Sequence, residues 1–392
     1  MSGECQLTPR SLLRVIAPGS AALLLVFGAV TSAQAGPPPG WRIVKQLGPA
    51  GATKVASVTA ANAGDAWAAG VACGSPCATQ KLLVERYGKG KWSAITGPAG
   101  LTSPTVFLGA ELVAASSASD AWVYALLDSA TSNHTDALHW TGKGWKVTKF
   151  PAFSQILTAA DFSAKNAWAF GMSGSAGGPF DEHFNGKGWH HVTGLPGNPE
   201  ALSAVSASDM WALGPTMKTA TKPINKRSLV LMHWDGKKWH SVGLPKIALP
   251  AGDYQVAGSI AATSASNVWE AWAYGNAGTC CLFGGLEHLS KGKWHAVTVS
   301  LTPAPVAITG IAQDGHGGVW LSDTPASGGR RFDHYSGGKW SDQLAPQFLN
   351  VAVIPGPIAW IPGTRSEWDA GFAIGTFGSV SGTVGELLKQ GN

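Results

Sequence analysis

The sequence predicts an all-β fold, a β-propeller of seven four-stranded antiparallel blades closed by the N-terminal strand completing the last blade. Three observations lead there. A Trp-bearing segment recurs along the chain, each recurrence divides into four short strands, and the final copy lacks a strand that stands alone near the N-terminus.

The recurrence is read first, because a fixed period of this size marks a repeat architecture. An acid- or amide-led Trp element occurs at Asp65-Ala66-Trp67, Asp120-Ala121-Trp122, Asn166-Ala167-Trp168, Asp209-Met210-Trp211 and Asn267-Val268-Trp269, with a variant at Gly318-Val319-Trp320. The period is 43 to 58 residues. Each element is followed by a Gly- and Lys-rich turn ending in Trp92, Trp145, Trp189, Trp239, Trp294 or Trp340. Five residues before each of those stands an apolar or aromatic partner: Tyr87, Trp140, Phe184, Trp234, Leu289 and Tyr335.

Within a copy, strand A is small and alternating, as in residues 202–207, strand B carries the first Trp, strand C carries Leu-x-His-Trp, and strand D begins at the second Trp. Asn185-Gly186, Asp235-Gly236 and Gly337-Gly338 sit between strands C and D. Such pairs accept the positive φ of a tight hairpin. Small residues suit the crowded axis, and the aromatics fill the space between blades. Burying one Trp is worth about 4 to 6 kcal/mol as an upper bound, at ~25 cal/mol per Å² over about 150 to 250 Å².

The seventh copy begins near Ile358 and stops at Leu388-Lys389-Gln390-Gly391-Asn392, a strand C with no Trp strand after it. Gly40-Trp41-Arg42-Ile43-Val44 supplies that strand, and placing Trp41 after Asn392 restores the five-residue spacing from Leu388. Closure leaves few open sheet edges. The blades are expected at 50–97, 105–150, 155–194, 200–245, 256–300, 305–345, and 350–392 with 41–45. Two registers stay open: Trp368 or Phe372 in blade seven, and Trp269 or Trp272 in blade five.

The organisation around this domain is simple. Arg10 and Arg14 precede an apolar run from Val15 to Val30 that meets Ala33-Gln34-Ala35, so 1–35 reads as a signal peptide, 36–40 as a linker and 41–392 as one propeller domain. Removing 1–35 lowers the formal charge from +5 to about +4, too little for a nucleic-acid protein of this length. No later segment is apolar enough to span a bilayer, and the expected location is secreted or cell-wall associated. Charged residues make up 13% of the chain against 51 Gly and 24 Pro, which favours short strands and turns over helices. Cys73, Cys77, Cys280 and Cys281 form two local pairs, candidates for one short-loop and one vicinal disulfide. They lack the usual zinc ligand spacing, so no metal is expected.

Apparent active-site residues are mostly accounted for by the repeat. His139, His183, His233, His288 and His334 each stand one residue before the strand C position, and Arg86 holds that place in blade one. A group repeated once per blade lies on a ring and cannot converge on one metal. Trp272, Trp360 and Trp368 fall outside the main pattern, with core packing favoured over ligand stacking. Glu270 and Asp369 occupy matching places after Trp269 and Trp368, but a register shift would make Glu270 a turn acid like Asp65. Asp161 and Asp314 lie near strand A and read as solvated channel acids. No nucleophile elbow, phosphate loop or zinc-protease motif occurs, so no catalytic residue and no cofactor are assigned.

Variation between copies is where specificity belongs on a repeated scaffold. The B-to-C loops vary most, and Lys218, Lys222, Lys226 and Arg227 in blade four with Arg330 and Arg331 in blade six make their face basic. An extracellular polysaccharide, a cell-wall polymer or a protein is the expected partner, with a monomeric disc as the scaffold.

Residues 206–214, Ser-Ala-Ser-Asp-Met-Trp-Ala-Leu-Gly, followed by 231–239, Leu-Met-His-Trp-Asp-Gly-Lys-Lys-Trp, resemble the secreted seven-bladed propellers common in actinobacteria, grouped with the kelch or galactose-oxidase-like superfamily. The paired kelch glycines are largely absent, and neither a Tyr-Cys copper constellation nor the sialidase Asp-box is matched. The resemblance implies a fold more than a function. A non-enzymatic binding module is the leading expectation, and a carbohydrate-active hydrolase or lyase with acids in the central funnel is the alternative.

Overall fold

The computed structural model describes residues 40–391, apart from 52, 74–79, 99–101, 104–106, 129–132, 175–177, 277–281, 326–329, 350 and 378–379. The expected signal segment therefore lies outside the described residues. Seven antiparallel four-stranded sheets span 54–94, 107–152, 155–191, 201–242, 254–297, 305–344, and 358–390 together with 42–51. Strand A of each blade lies against strand A of the next, which makes the innermost ring. Two short additions depart from the repeat: Thr102–Ser103 pairs beside strand C of blade one, and Gln347–Phe348 pairs with Val351–Ala352 ahead of blade seven. The C-to-D turns take the expected left-handed backbone, with φ of 88° at Gly186 and Gly236, and 57° and 81° at Gly337 and Gly338.

Ring closure follows the sequence expectation. Arg42–Gly51 pairs antiparallel with Val380–Gln390 and becomes strand D of blade seven. The register differs by two residues from the one inferred from Leu388: Arg42 pairs with Lys389, which sets Trp41 beside Gln390. Leu388 is instead fully buried and faces blade six. Gln390 rather than Leu388 holds the strand C place opposite the Trp, since it pairs with Glu367 as Tyr87 pairs with Ala66, and a two-residue slip keeps the same face buried, so alternation did not reveal it. Two side chains in the first half of the closing strand also anchor it. The Arg42 guanidinium donates to the Gly391 carbonyl, and Lys45 Nζ reaches Glu85 Oε2 of blade one at 2.9 Å.

Both open registers resolve the same way. Trp368 pairs with Lys389 and Trp269 with His288, matching Trp67 with Arg86 and Trp122 with His139. Asn267 is thus the turn residue of blade five, and Glu270 is a buried strand residue, not the turn acid that a shifted register would make it.

These seven positions build the seams. In five blades the strand B indole stacks on its cross-strand imidazole: Trp122 on His139, Trp168 on His183, Trp211 on His233, Trp269 on His288 and Trp320 on His334, with centroids 3.8 to 4.3 Å apart. Arg86 covers Trp67 at 6.0 Å and Lys389 covers Trp368 at 5.6 Å in the other two. Each imidazole is held in turn by an acceptor. The Nε2 atoms of His139, His183, His233, His288 and His334 lie 2.6 to 3.0 Å from Asp120, Asn166, Asp209, Asn267 and Asp314. A carboxylate or carboxamide oxygen only accepts, so Nε2 carries the proton.

The next blade covers the indole from its other side. Trp189 meets Trp122 at 4.9 Å, Trp234 meets Trp168 at 5.1 Å, Tyr335 meets Trp269 at 5.7 Å, and Trp92 meets Trp368 at 5.0 Å. Trp41 does the same for Trp320 at 5.8 Å while stacking on Phe332 at 3.8 Å. The N-terminal strand therefore fills the aromatic role that strand D plays through Trp92 and Trp189, as well as its hydrogen bonds.

Side chains alternate along a strand, so the residues on either side of each strand B Trp face the preceding blade. Here the seams hold acids. Glu270 and Glu367 are fully buried, and none of their carboxyl oxygens has a hydrogen-bond partner. Burial, with Glu287 nearby, pushes Glu270 up to about 8, and burial with Asp314 nearby does the same for Glu367. Both are neutral acids at moderate pH.

Two outcomes follow for stability. Trp122→Ala should cost roughly 3 to 5 kcal/mol in a denaturant titration. Asp120→Asn, which keeps an acceptor as Asn166 and Asn267 do, should cost much less than Asp120→Ala. The second outcome concerns pH. A carboxyl at about 8 when folded and 4.5 when unfolded contributes stability that is complete below 4.5 and is lost as pH rises through about 8. His183 and His288, lowered by burial and by His190 and His295, act in the opposite sense as pH falls below 6.5. Thermal unfolding scans should therefore show these carboxyls lowering stability as pH rises from about 4.5 to about 8, with a flatter decline in the Glu270→Gln/Glu367→Gln double variant.

Candidate functional site

The B-to-C loops and the D-to-A connections emerge at one end of the strands, and the longest loop described in full is 215–228 of blade four. It holds four cations and no acid. Its backbone is tied to itself. The Thr216 amide donates to the Ser228 carbonyl at 2.7 Å, the Ser228 amide to Thr219 Oγ1 at 3.0 Å, and the Lys222 amide to the Thr219 carbonyl at 2.9 Å. Thr219 and Ala220 are buried beneath it. A single 3-10 turn, Ile224–Lys226, follows Pro223 and rests against strand Tyr254–Ser264 of blade five.

Arg227 acts as the clasp. Its Nε donates to the Lys222 carbonyl at 2.9 Å, and its Nη1 reaches Glu200 Oε1 at 3.0 Å. Burial raises the Glu200 carboxyl while the Arg227 guanidinium opposes that shift. Lys218, Lys222 and Lys226 remain, all exposed on this braced loop. Lys246, in the connection from blade four to blade five, is also exposed on the same face. Sequence reading passed over it because it lies outside a B-to-C loop.

The six predicted cations divide accordingly. Three lysines are free to meet a ligand, and Arg227 holds the loop that displays them. Arg330 is half-buried, and burial lowers its proton affinity. Arg331 does not belong to the exposed face. It is 3% exposed, with Nε 2.7 Å from Asp333 and 3.1 Å from Asp323 and Nη2 donating to the Pro303 carbonyl at 2.6 Å. The alternation of blade six turns it inward, and two buried carboxylates hold it there.

The acids considered for catalysis are also placed in the framework. Glu270 and Asp369 are fully buried, and Asp369 Oδ2 accepts from the Gly356 amide at 3.0 Å. Asp314 is not a solvated channel acid: it is 5% exposed and clasps His334, doing in blade six what Asp120 does in blade two. Asp161 accepts from the Ser116 amide of the neighbouring blade at 2.9 Å, and burial together with Asp120 pushes it up to about 8. Among the described residues no group of three or more His, Cys, Asp or Glu is arranged to hold a metal ion. Cys73 is buried and disulfide-bonded, while Cys77, Cys280 and Cys281 lie outside the described residues. Of the Trp residues outside the main pattern, Trp368 is a seam indole and Trp360 Nε1 donates to the Thr364 carbonyl at 2.9 Å. Trp272 is partly exposed.

No protein-family model matches the chain, and no curated protein matches it. Solved structures do resemble it as folds. YCF48 bound to D1 peptide superposes with a TM-score of 0.53 at 13% identity, covering 91% of this chain and 96% of that one. YCF48 from Cyanidioschyzon merolae gives 0.52 at 15% identity, covering 90% and 99%. A chain of the mitotic checkpoint complex gives 0.50 at 11% identity, covering 95% and 99%. At these identities the likeness is one of architecture, and this chain shares with them the β-propeller fold.

Proposed function

We propose that this chain is an exported, non-enzymatic binding module that holds an anionic extracellular or cell-wall polymer on the loop face of a monomeric disc. One observation carries the reading: the repeated polar residues are consumed in the seams, whereas the braced loop of blade four turns Lys218, Lys222 and Lys226 outward with no acid among them. A loop already ordered by its own hydrogen bonds loses little entropy on binding. Like charges gathered on one surface raise the local concentration of an oppositely charged polymer. The Arg-flanked apolar run and Ala33-Gln34-Ala35 support export, and a YCF48 structure bound to a peptide is a precedent for a disc of this fold serving as a docking surface.

The test is direct titration of the purified protein with polygalacturonate, wall teichoic acid and inorganic polyphosphate over a salt series. At least one polyanion should bind, and its affinity should weaken steadily as salt rises. The Lys218→Glu/Lys222→Glu/Lys226→Glu variant should bind about tenfold more weakly or worse, a loss of ~1.4 kcal/mol or more. Absence of binding to all three polymers, or full affinity in the triple variant, overturns the reading.

A further inference from the structure

The rim of blade five, next to the basic loop, carries a second kind of side chain. Trp272 stands three residues after the strand B Trp, where blades one, three, four and seven have Gly70, Gly171, Gly214 and Gly371. Room for its ring is made on the facing strand. A Cβ on Gly284 would lie 1.9 Å from the Trp272 ring, and one on Gly285 would lie 2.7 Å from its Nε1. Two successive glycines inside a strand weaken it and mark a close approach. The ladder also bulges there, passing from Trp272↔Gly285 to Ala273↔Phe283. A position that is Gly or Ala in five blades and Asp323 in blade six has here been rebuilt to seat one indole.

Two tyrosines extend the same rim. Tyr274 lies 6.2 Å from Trp272 at 45°, and Tyr254 pairs with Gly275 so that its ring lies about where a side chain of that glycine would be, 3.0 Å from the position of its Cβ. Trp272, Tyr254 and Tyr274 are all partly exposed. Tyr254 opens the strand on which the lysine-bearing turn Ile224–Lys226 rests, so the aromatic rim and the basic loop belong to packed elements of neighbouring blades.

Resting on the proposed reading above, we infer that the ligand is an acidic polysaccharide built of uronate rings, whose apolar ring faces stack on Trp272 and Tyr254 while its carboxylates meet Lys222 and Lys226. Charge alone does not ask for this rim. Rigid aromatic rings supply contact area at low entropic cost, and a pyranose presents a patch of C–H groups to them. A carboxylate on each sugar then meets the ammonium groups beside that patch.

The experiment compares polygalacturonate with inorganic polyphosphate, which has charge and no rings. The unaltered protein should bind polygalacturonate the more tightly, and Trp272→Leu should lose about tenfold for it while keeping its affinity for polyphosphate. Tyr254→Leu, on a different strand, should show the same split. A short oligogalacturonide bound to the unaltered protein should receive saturation transfer from aromatic protons, a readout independent of either variant folding. Equal binding of both polymers with no effect of either variant, or no transfer from aromatic protons, overturns the inference and leaves the charge reading standing. If neither polymer binds, the inference falls, and the charge reading falls with it when wall teichoic acid also fails to bind.

Discussion

The ring depends on one recurring contact, an indole clamped between a cationic or imidazole side chain of its own blade and an aromatic of the next. Neither half suffices alone. The cross-strand His locks the ring in orientation, and its own orientation is locked by the Asp or Asn that opens strand B. Covering the outer face then transfers the indole from water to a packed seam, which is where most of the free energy of blade association resides. Trp, His and acceptor act as a unit in five blades, joining the start of strand B to the strand C paired with it.

Closure is the same contact made once more with borrowed parts. Trp41 covers Trp320 across the sixth seam, and Lys45 bridges to Glu85 across the seventh. A propeller whose last sheet mixes the two ends of the chain ties the termini into the cooperative unit, so neither end can fray without opening a seam. The buried acids fit this picture. They lie between blades as neutral groups, and they couple the closed ring to proton activity without forming a solvent-facing catalytic pair.

Function is thereby left to what does not repeat. Arg227 and Arg331 illustrate the distinction, since both are basic residues at loop ends and both turn out to be structural: one braces the blade-four loop, the other neutralises Asp323 and Asp333. The lysines between them in character, long and unpaired by any acid in the loop, are the ones left facing outward. Rigid support under mobile charge is a common arrangement for recognising a polymer by its sign and spacing.

Blade number, strand order and closure were all legible in the chain, because a Trp repeated at near-constant spacing and a missing final strand are one-dimensional signals of a circular object. The structural role of the histidines was legible for the same reason: equivalence by position excluded convergence. Registers were not. Trp269 and Trp272, three residues apart, lie on opposite faces of their strand, so burial across the seam separates them, whereas Leu388 and Gln390, two apart, share a face, so only the pairing itself decides which stands beside Trp41. Only the tertiary structure decided that Arg331 points inward, that Asp314 replaces the missing turn acid of blade six, and that the blade-four turn packs on the strand that Tyr254 opens. Those facts rest on side-chain direction and on contacts between blades, which local sequence constrains weakly and packing settles.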